Sequence, residues 1–184
     1  KNYSKTAIEY FKDSNDSLHL GKSYHTLGRS QTRQGLYKES IKNALIAKEI
    51  FYKIRDSLFY AFILEELGVI YINQNKPKQS IPYYKKALDV AWKINDIATI
   101  ARDYNLIGLC YQSMDSIDKA LEYYNLSLNY YEKCDSSDSY YSHIGSLYRE
   151  FMDIYQQKGE YQKALEYGYK AEESYKKTGE MFYL

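Results

Sequence analysis

A chain of 184 residues has room for one ordinary domain or for a short array of repeats. With 25 Lys and Arg against 24 Asp and Glu, a formal net charge of +1 excludes a global electrostatic pull toward nucleic acid or an anionic membrane. The 45% apolar and 27% charged fractions describe a folded chain, and the longest apolar stretch, Phe59 to Leu64, is far short of the roughly 20 residues that span a bilayer. The one abnormal feature is 24 Tyr against 6 Phe and a single Trp.

Comparison of the chain with itself sets the frame. Leu27-Gly28 recurs as Leu67-Gly68 and, with one conservative change, as Ile107-Gly108, each forty residues on. Lys119-Ala120-Leu121-Glu122-Tyr123 recurs unchanged as residues 163–167, forty-four residues later. The period is therefore about forty, with a four-residue insertion expected near Cys134 to Asp138, where a Ser/Asp cluster lengthens the junction.

Taken in chain order, Tyr3 to Asp13 matches Asn43 to Lys53, so residues 1–15 are expected to be the second helix of a unit whose first helix lies upstream. Full units are expected at 16–55, 56–95, 96–138 and 139–178, and residues 179–184 begin a further helix. Apolar residues recur at spacings of three and four, which predicts two antiparallel helices per unit and no strands. The second unit carries Leu64, Leu67, Gly68 and Tyr71, then Ile81, Tyr84, Ala87, Leu88 and Ala91. The third has Tyr104, Ile107, Gly108 and Tyr111, then Ala120, Tyr124, Ser127 and Leu128. The fourth has Tyr148, Phe151, Met152 and Tyr155, then Ala164, Tyr167 and Ala171.

Gly28, Gly68 and Gly108 fall in mid-helix, where glycine costs about 1 kcal/mol against alanine, so close approach of the partner helix is expected to compensate. Ala47, Ala87, Ser127 and Ala171 would receive bulky neighbours such as Tyr71 and Tyr111, and Met152 should widen the last pair. Pro77 belongs to an inter-helix turn. Pro82 predicts a helix that starts about three residues late, capped by Ser80. Apolar residues at both ends predict a fragment of a longer protein whose uncapped ends self-associate.

These motifs resemble the tetratricopeptide repeat, a W-x-x-L-G-x-x-Y helix followed by a helix with spaced alanine and an aromatic. Leu64-Glu-Glu-Leu67-Gly68-Val-Ile-Tyr71 and Tyr104-Asn-Leu-Ile107-Gly108-Leu-Cys-Tyr111 carry the first helix, and Tyr161-Gln-Lys-Ala164-Leu-Glu-Tyr167 the second. Gln31 in place of tyrosine, Ala44 and Gly168 in place of the aromatic, and Ser40 and Ser80 in place of alanine depart from the pattern. The resemblance implies an all-α, right-handed superhelical solenoid of antiparallel helix pairs that binds a protein or peptide. The forty-residue unit is similar to repeats of bacterial regulators, including Bacteroidetes-type transcriptional regulators and sensors. A stand-alone adaptor or co-chaperone-like scaffold is the alternative, and a helical-repeat nucleic-acid binder is disfavoured by the neutral charge.

On that architecture the face beside the packing stripe should line a concave groove. It is expected to present Lys22, His25, Arg29 and Thr32, with Arg33 beside them, then Phe62, Glu65, Val69 and Ile72. Arg102, Asn105, Leu109 and Gln112 follow, and then Ser146, Arg149, Asp153 and Gln156. Apolar anchors near Phe62, Val69 and Leu109 would hold a peptide whose acidic group meets Arg29 or Arg33. The other reading is that these are solvated residues and the contact is an adjacent domain of the same chain. Glu65-Glu66 is expected to be a solvated pair at the groove edge.

His19, His25 and His143 are expected on helix surfaces, and Cys110 and Cys134 are expected to be ordinary thiols. No Glu-x-x-His pair, Gly-rich phosphate loop or catalytic grouping occurs in the sequence, so no catalytic residue, metal or cofactor is assigned. More than half of the 24 tyrosines fall in repeat columns and are expected to be packing residues. Tyr60, Tyr140 and Tyr141 stand outside those columns.

Overall fold

The computed structural model describes residues 3–134 and 138–178. They form α1 (Tyr3–Asp13), α2 (Ser17–Arg33), α3 (Tyr37–Lys53), α4 (Ser57–Asn73), α5 (Pro77–Ile94), α6 (Ile97–Gln112), α7 (Ile117–Tyr131), α8 (Asp138–Gln157) and α9 (Tyr161–Thr178), with no strand among them. The fold is an all-α solenoid of helix pairs. It falls into two compact units, one ending at Ile94 and the other starting at Asn95. In the first, α2 packs on α3, α4 on α5, α3 on α4 and α1 on α2; in the second, α6 packs on α7 and α8 on α9, with α7 touching α8.

Two local devices cut the chain into helices. Asn15, Gly35, Arg55, Asn75, Asn95, Asp115 and Gly159 all have positive φ, and each follows a helix, where a left-handed residue ends the hydrogen-bond ladder. The next amide then reaches back, as Leu36 N donates to Gln31 O (2.9 Å), Asp56 N to Phe51 O (3.0 Å) and Ser116 N to Tyr111 O (2.9 Å). Asp16, Asp56 and Asp96 open α2, α4 and α6, their carboxylates accepting from the amides of His19, Phe59 and Thr99 at 3.0–3.1 Å.

The partner helix does approach closely at the mid-helix glycines, and at Gly68 and Gly108 it does so with a tyrosine ring. A Cβ at Gly68 would stand 2.5 Å from Tyr84, and one at Gly108 would stand 2.5 Å from Tyr124. Tyr84 and Tyr124 are both fully buried. Tyr71 and Tyr111 instead stack on Tyr83 and Tyr123, with ring centroids 5.4 and 5.3 Å apart. In the first pair Ala44 takes the place of the ring, and a Cβ at Gly28 would meet the Ser40 carbonyl oxygen at 3.4 Å. In the last pair the sizes are exchanged: Met152 holds the glycine register, and buried Gly168 holds the tyrosine register. The wider last pair expected from Met152 is not found, because α8 packs along α9 as fully as the other pairs do.

The other departures from the repeat pattern also have partners. Ser40 and Ser80 are buried and donate to the carbonyls of Gly28 and Gly68, each at 2.9 Å, so the serines tie second helix to first where alanine would only pack. Gln31 accepts from Asn43 Nδ2 at 2.7 Å at the register where the later pairs stack Tyr71 on Tyr83, Tyr111 on Tyr123 and Tyr155 on Tyr167. One side-chain hydrogen bond thus replaces an aromatic contact across the same two helices.

The expected late start of α5 is overturned. It begins at Pro77, in register with Tyr37 and Ile117. Pro77 is the first helical residue, where the missing amide is harmless, and Ser80 is not the cap. Pro82 lies within the helix on an exposed face, where water reaches the carbonyl of Lys78 that its missing amide would have served. The insertion expected near Cys134 to Asp138 lies partly outside the described residues, as does the helix start expected at 179–184. Among the described residues, α7 stops at Tyr131 and α8 begins at Asp138.

The core of the first unit gathers Ala44, Ala47, Phe51, Ile63, Leu67 and Ile70. That of the second gathers Tyr124, Tyr131, Ile144, Leu147, Phe151 and Ile154, with Ala101 and Ala120. Most of the tyrosine columns do pack between helices, but Tyr3 and Tyr161 are 78% and 70% exposed.

The paired replacement of Gln31 and Asn43 is testable by a double-mutant cycle on thermal or denaturant unfolding. Gln31→Tyr and Asn43→Tyr should each destabilise by about 1 kcal/mol, because each leaves the other side-chain amide, buried at Asn43 and half-buried at Gln31, unpaired. The double variant should recover about 0.5–1.5 kcal/mol through ring stacking. Additive losses would show that the two positions do not act as one contact.

Candidate functional site

In the first unit α2 and α4 touch directly, and their outward stripes meet. Lys22 places its Nζ 4.9 Å above the Phe59 ring, and His25 sets its edge against Phe62 with centroids 5.1 Å apart. The Glu66 carboxylate lies 3.8 Å from His25 Nε2 and 3.8 Å from Arg29 Nε. Of the residues expected here, Lys22, His25, Arg29 and Phe62 are thus brought together. Val69 lies further along the same face, half-buried, and Arg33 is exposed in the last turn of α2.

Two expectations fail on this face. Glu65 is only 6% exposed, so the Glu65-Glu66 pair is not solvated, and Glu66 lies beside His25 and Arg29. His25 is not a surface residue either, since its side chain is 12% exposed and packed on Phe62. The physical reason is the helical period. A stripe stepped by three from Phe62 reaches Glu65, whereas the step of four reaches Glu66, and α2 approaches α4 on that side. Phe59, one turn before Phe62, joins this face without having been singled out by the sequence stripe, and Glu66, expected at the groove edge, is part of it.

In the second unit Arg102, Asn105, Leu109 and Gln112 are half-buried along α6. Arg102 donates from Nη2 to Thr99 Oγ1 (3.4 Å), and Gln112 accepts from the Tyr124 hydroxyl, which binds its amide to the core. Leu109 packs against the core cluster. The Asn105 Oδ1 is buried and accepts no hydrogen bond among the described residues. On α8, Asp153 is exposed and Arg149 stands 3.8 Å from its neighbour Glu150. Burial pushes the Glu150 carboxyl above the usual carboxylate range, with the Arg149 charge pulling the other way.

The cysteines behave as packed thiols. Cys110 is fully buried on α6, and burial pushes its thiol up to about 12. Cys134 is half-buried, with Sγ 3.5 Å from the Tyr130 carbonyl oxygen. Among the described residues no group of three or more His, Cys, Asp and Glu is placed to hold a metal ion, and no helix is long and apolar enough to cross a membrane.

Comparison with known proteins agrees with this architecture. A family model described as tetratricopeptide repeat matches residues 63–91 and 101–134. No curated protein sequence matches it. Solved structures of the same fold include BtubC from P. vanneervenii, 19% identical over 92% of this chain and 68% of that one, with a TM-score of 0.75. They also include the apo form of RapI, 18% identical over 95% of this chain, with a TM-score of 0.81, and aspartyl phosphate phosphatase F from Bacillus subtilis, 18% identical over 100% of it, with a TM-score of 0.69. This chain spans 47% of the RapI chain and 57% of the phosphatase chain. The tetratricopeptide repeat domain of Arabidopsis FLU is 20% identical over 62% of this chain and 96% of that one, with a TM-score of 0.56.

The raised Cys110 value fixes a sign. In the fold the thiol keeps its proton up to about 12, whereas the unfolded thiol ionises near its ordinary value of 9, so ionisation favours unfolding as pH rises through that window. Thiol titration of the native protein at pH 8 should count Cys134 alone, with Cys110 appearing only in denaturant. Rapid native labelling of Cys110 would contradict the buried thiol.

Proposed function

We propose that the chain is a protein- or peptide-binding repeat domain, the sensory or regulatory part of a larger bacterial signalling or transcription-regulating protein. The observation that carries this reading is the α2–α4 face. Half-buried Phe62 and Val69 offer apolar contact there, and Lys22, Arg29 and Arg33 lie alongside, a surface of mixed chemistry that a peptide with an apolar anchor and a nearby acidic group would match. Glu66 already screens Arg29, so an incoming carboxylate must take its place on the guanidinium. Exposed Arg33 carries no such neighbour among the described residues and is the easier first contact. The regulatory part of the proposal is supported by the forty-residue period and by the fold likeness to RapI and to a protein named as an aspartyl phosphate phosphatase.

The test is to select peptides from a displayed library on the purified chain and to titrate the best binder against variants. Phe62→Ala should weaken it at least tenfold and Arg29→Ala or Arg33→Ala about threefold to tenfold. Glu66→Gln should strengthen an acidic peptide by freeing Arg29. Unchanged affinity across Phe62→Ala, Arg29→Ala and Arg33→Ala would remove this face as the binding site.

A further inference from the structure

A second, separate cavity lies in the first unit. A cleft of about 450 Å³ opens where the end of α3, the start of α4 and the second half of α5 meet. Such a volume suits a small organic ligand. Its floor is apolar, made by Phe51 and Val90, and Tyr52 and Tyr60 stand together in its wall with ring centroids 5.7 Å apart. Three cations line it: Arg55, Lys86 and Lys93. Of its two carboxylates, Asp56 is held by capping α4, which leaves Asp89 as the one exposed acid facing three positive charges.

The repeat supplies its own control. Forty residues on, Asn95, Ile100 and Leu126 occupy the positions of Arg55, Tyr60 and Lys86; forty residues back, Asn15, Leu20 and Ile46 do so. Arg55, Lys86 and the second tyrosine therefore belong to this turn of the array and not to the architecture, whereas Lys93 recurs as Lys53 and Lys133. Tyr60 lies outside the packing columns for the same reason.

Arg55 adds an independent point. It has φ 58°, and every other described residue with positive φ is Asn, Asp or Gly. Those residues enter the left-handed region with little penalty, whereas a long side chain there is strained. Such strain is typically retained where the side chain has a task. Here the strained residue is the one that brings a guanidinium to the cleft.

The geometry points to a ligand site in this cleft for a small organic anion, an apolar or aromatic body carrying a sulfonate, phosphate or carboxylate. Phe51, Val90 and the tyrosine rings receive the body, and Arg55 with Lys86 and Lys93 receives the anionic group through charge-assisted hydrogen bonds. The site is on different helical faces from the α2–α4 surface, and it stands whether or not that surface binds a peptide.

Anilinonaphthalene sulfonate is a suitable probe, with the uncharged phenylnaphthylamine as its counterpart. The purified chain should bind the sulfonate at one saturable site, more weakly as salt rises. Arg55→Asn, the array's own choice at this register, should lower that affinity at least fivefold while raising Tm by about 2–4 °C through relief of the left-handed strain. Lys86→Leu, copied from position 126, should also lower the affinity. Because the first variant is expected to be more stable than its parent, lost binding cannot be assigned to unfolding. Unchanged sulfonate affinity in Arg55→Asn, or binding of the uncharged amine as tight as that of the sulfonate, would overturn the site.

Discussion

The structure depends on how much volume two facing positions share across each helix pair. One position lies on the first helix and the other sixteen residues later on the second. The occupants are Gly28 and Ala44, Gly68 and Tyr84, Gly108 and Tyr124, and Met152 and Gly168. In the middle pairs a phenol ring lies flat on a glycine with no room for a methyl group, and interiors packed to crystal-like density transmit such a constraint to everything around it. The serine bonds to the glycine carbonyls and the stacked tyrosines beside them act at the helix spacing that this contact sets. Burial of Tyr124 also pushes its phenol up, so the hydroxyl stays a donor to Gln112 at any ordinary pH.

The face between α2 and α4 follows from the same spacing. First helices held close on one side to their partners leave the opposite stripe free to meet the next first helix, and there the chain places an aromatic edge, an imidazole, a carboxylate and a guanidinium instead of more aliphatic packing. The pairs at 3.8 Å are too long for strong hydrogen bonds and partly exposed, so they contribute little to stability and remain open to exchange with a charged ligand. In the second unit the equivalent polar residues are more committed, since Gln112 serves Tyr124 and Arg102 reaches Thr99.

Much of the fold was legible because the period is long and regular. Leu-Gly pairs forty residues apart and apolar spacings of three and four locate the helices without any alignment. Reading the contacts was harder. Tyr71 was assigned to a small residue because both recur, but recurrence does not say which of two adjacent tyrosines, Tyr83 or Tyr84, turns toward the glycine. Pro82 costs less than its helical position implies, since the cost of a helical proline depends on whether water reaches the orphaned carbonyl, and exposure is a tertiary property. Glu65 and Glu66 illustrate the same limit: adjacent residues point 100° apart, and only the approach of α2 decides which one is buried. Gln31 and Ala44 depart from the pattern, yet each is half of a pair whose other half restores the fit, and Gly168 stands at the matching register sixteen residues after Met152. That signal was present in the sequence, at a separation of twelve or sixteen residues.

The exchange of large and small residues between Met152 and Gly168 bears on how such an array can evolve. A first helix carrying methionine there joined to a second helix carrying tyrosine would overfill the seam, and glycine opposite glycine would leave it hollow. Duplication and recombination can therefore copy or move whole pairs freely, but a crossover inside the loop between two partners joins halves that do not match. The heritable unit of this protein is the hairpin of two helices, and the single helix is not interchangeable even though every helix shares one period.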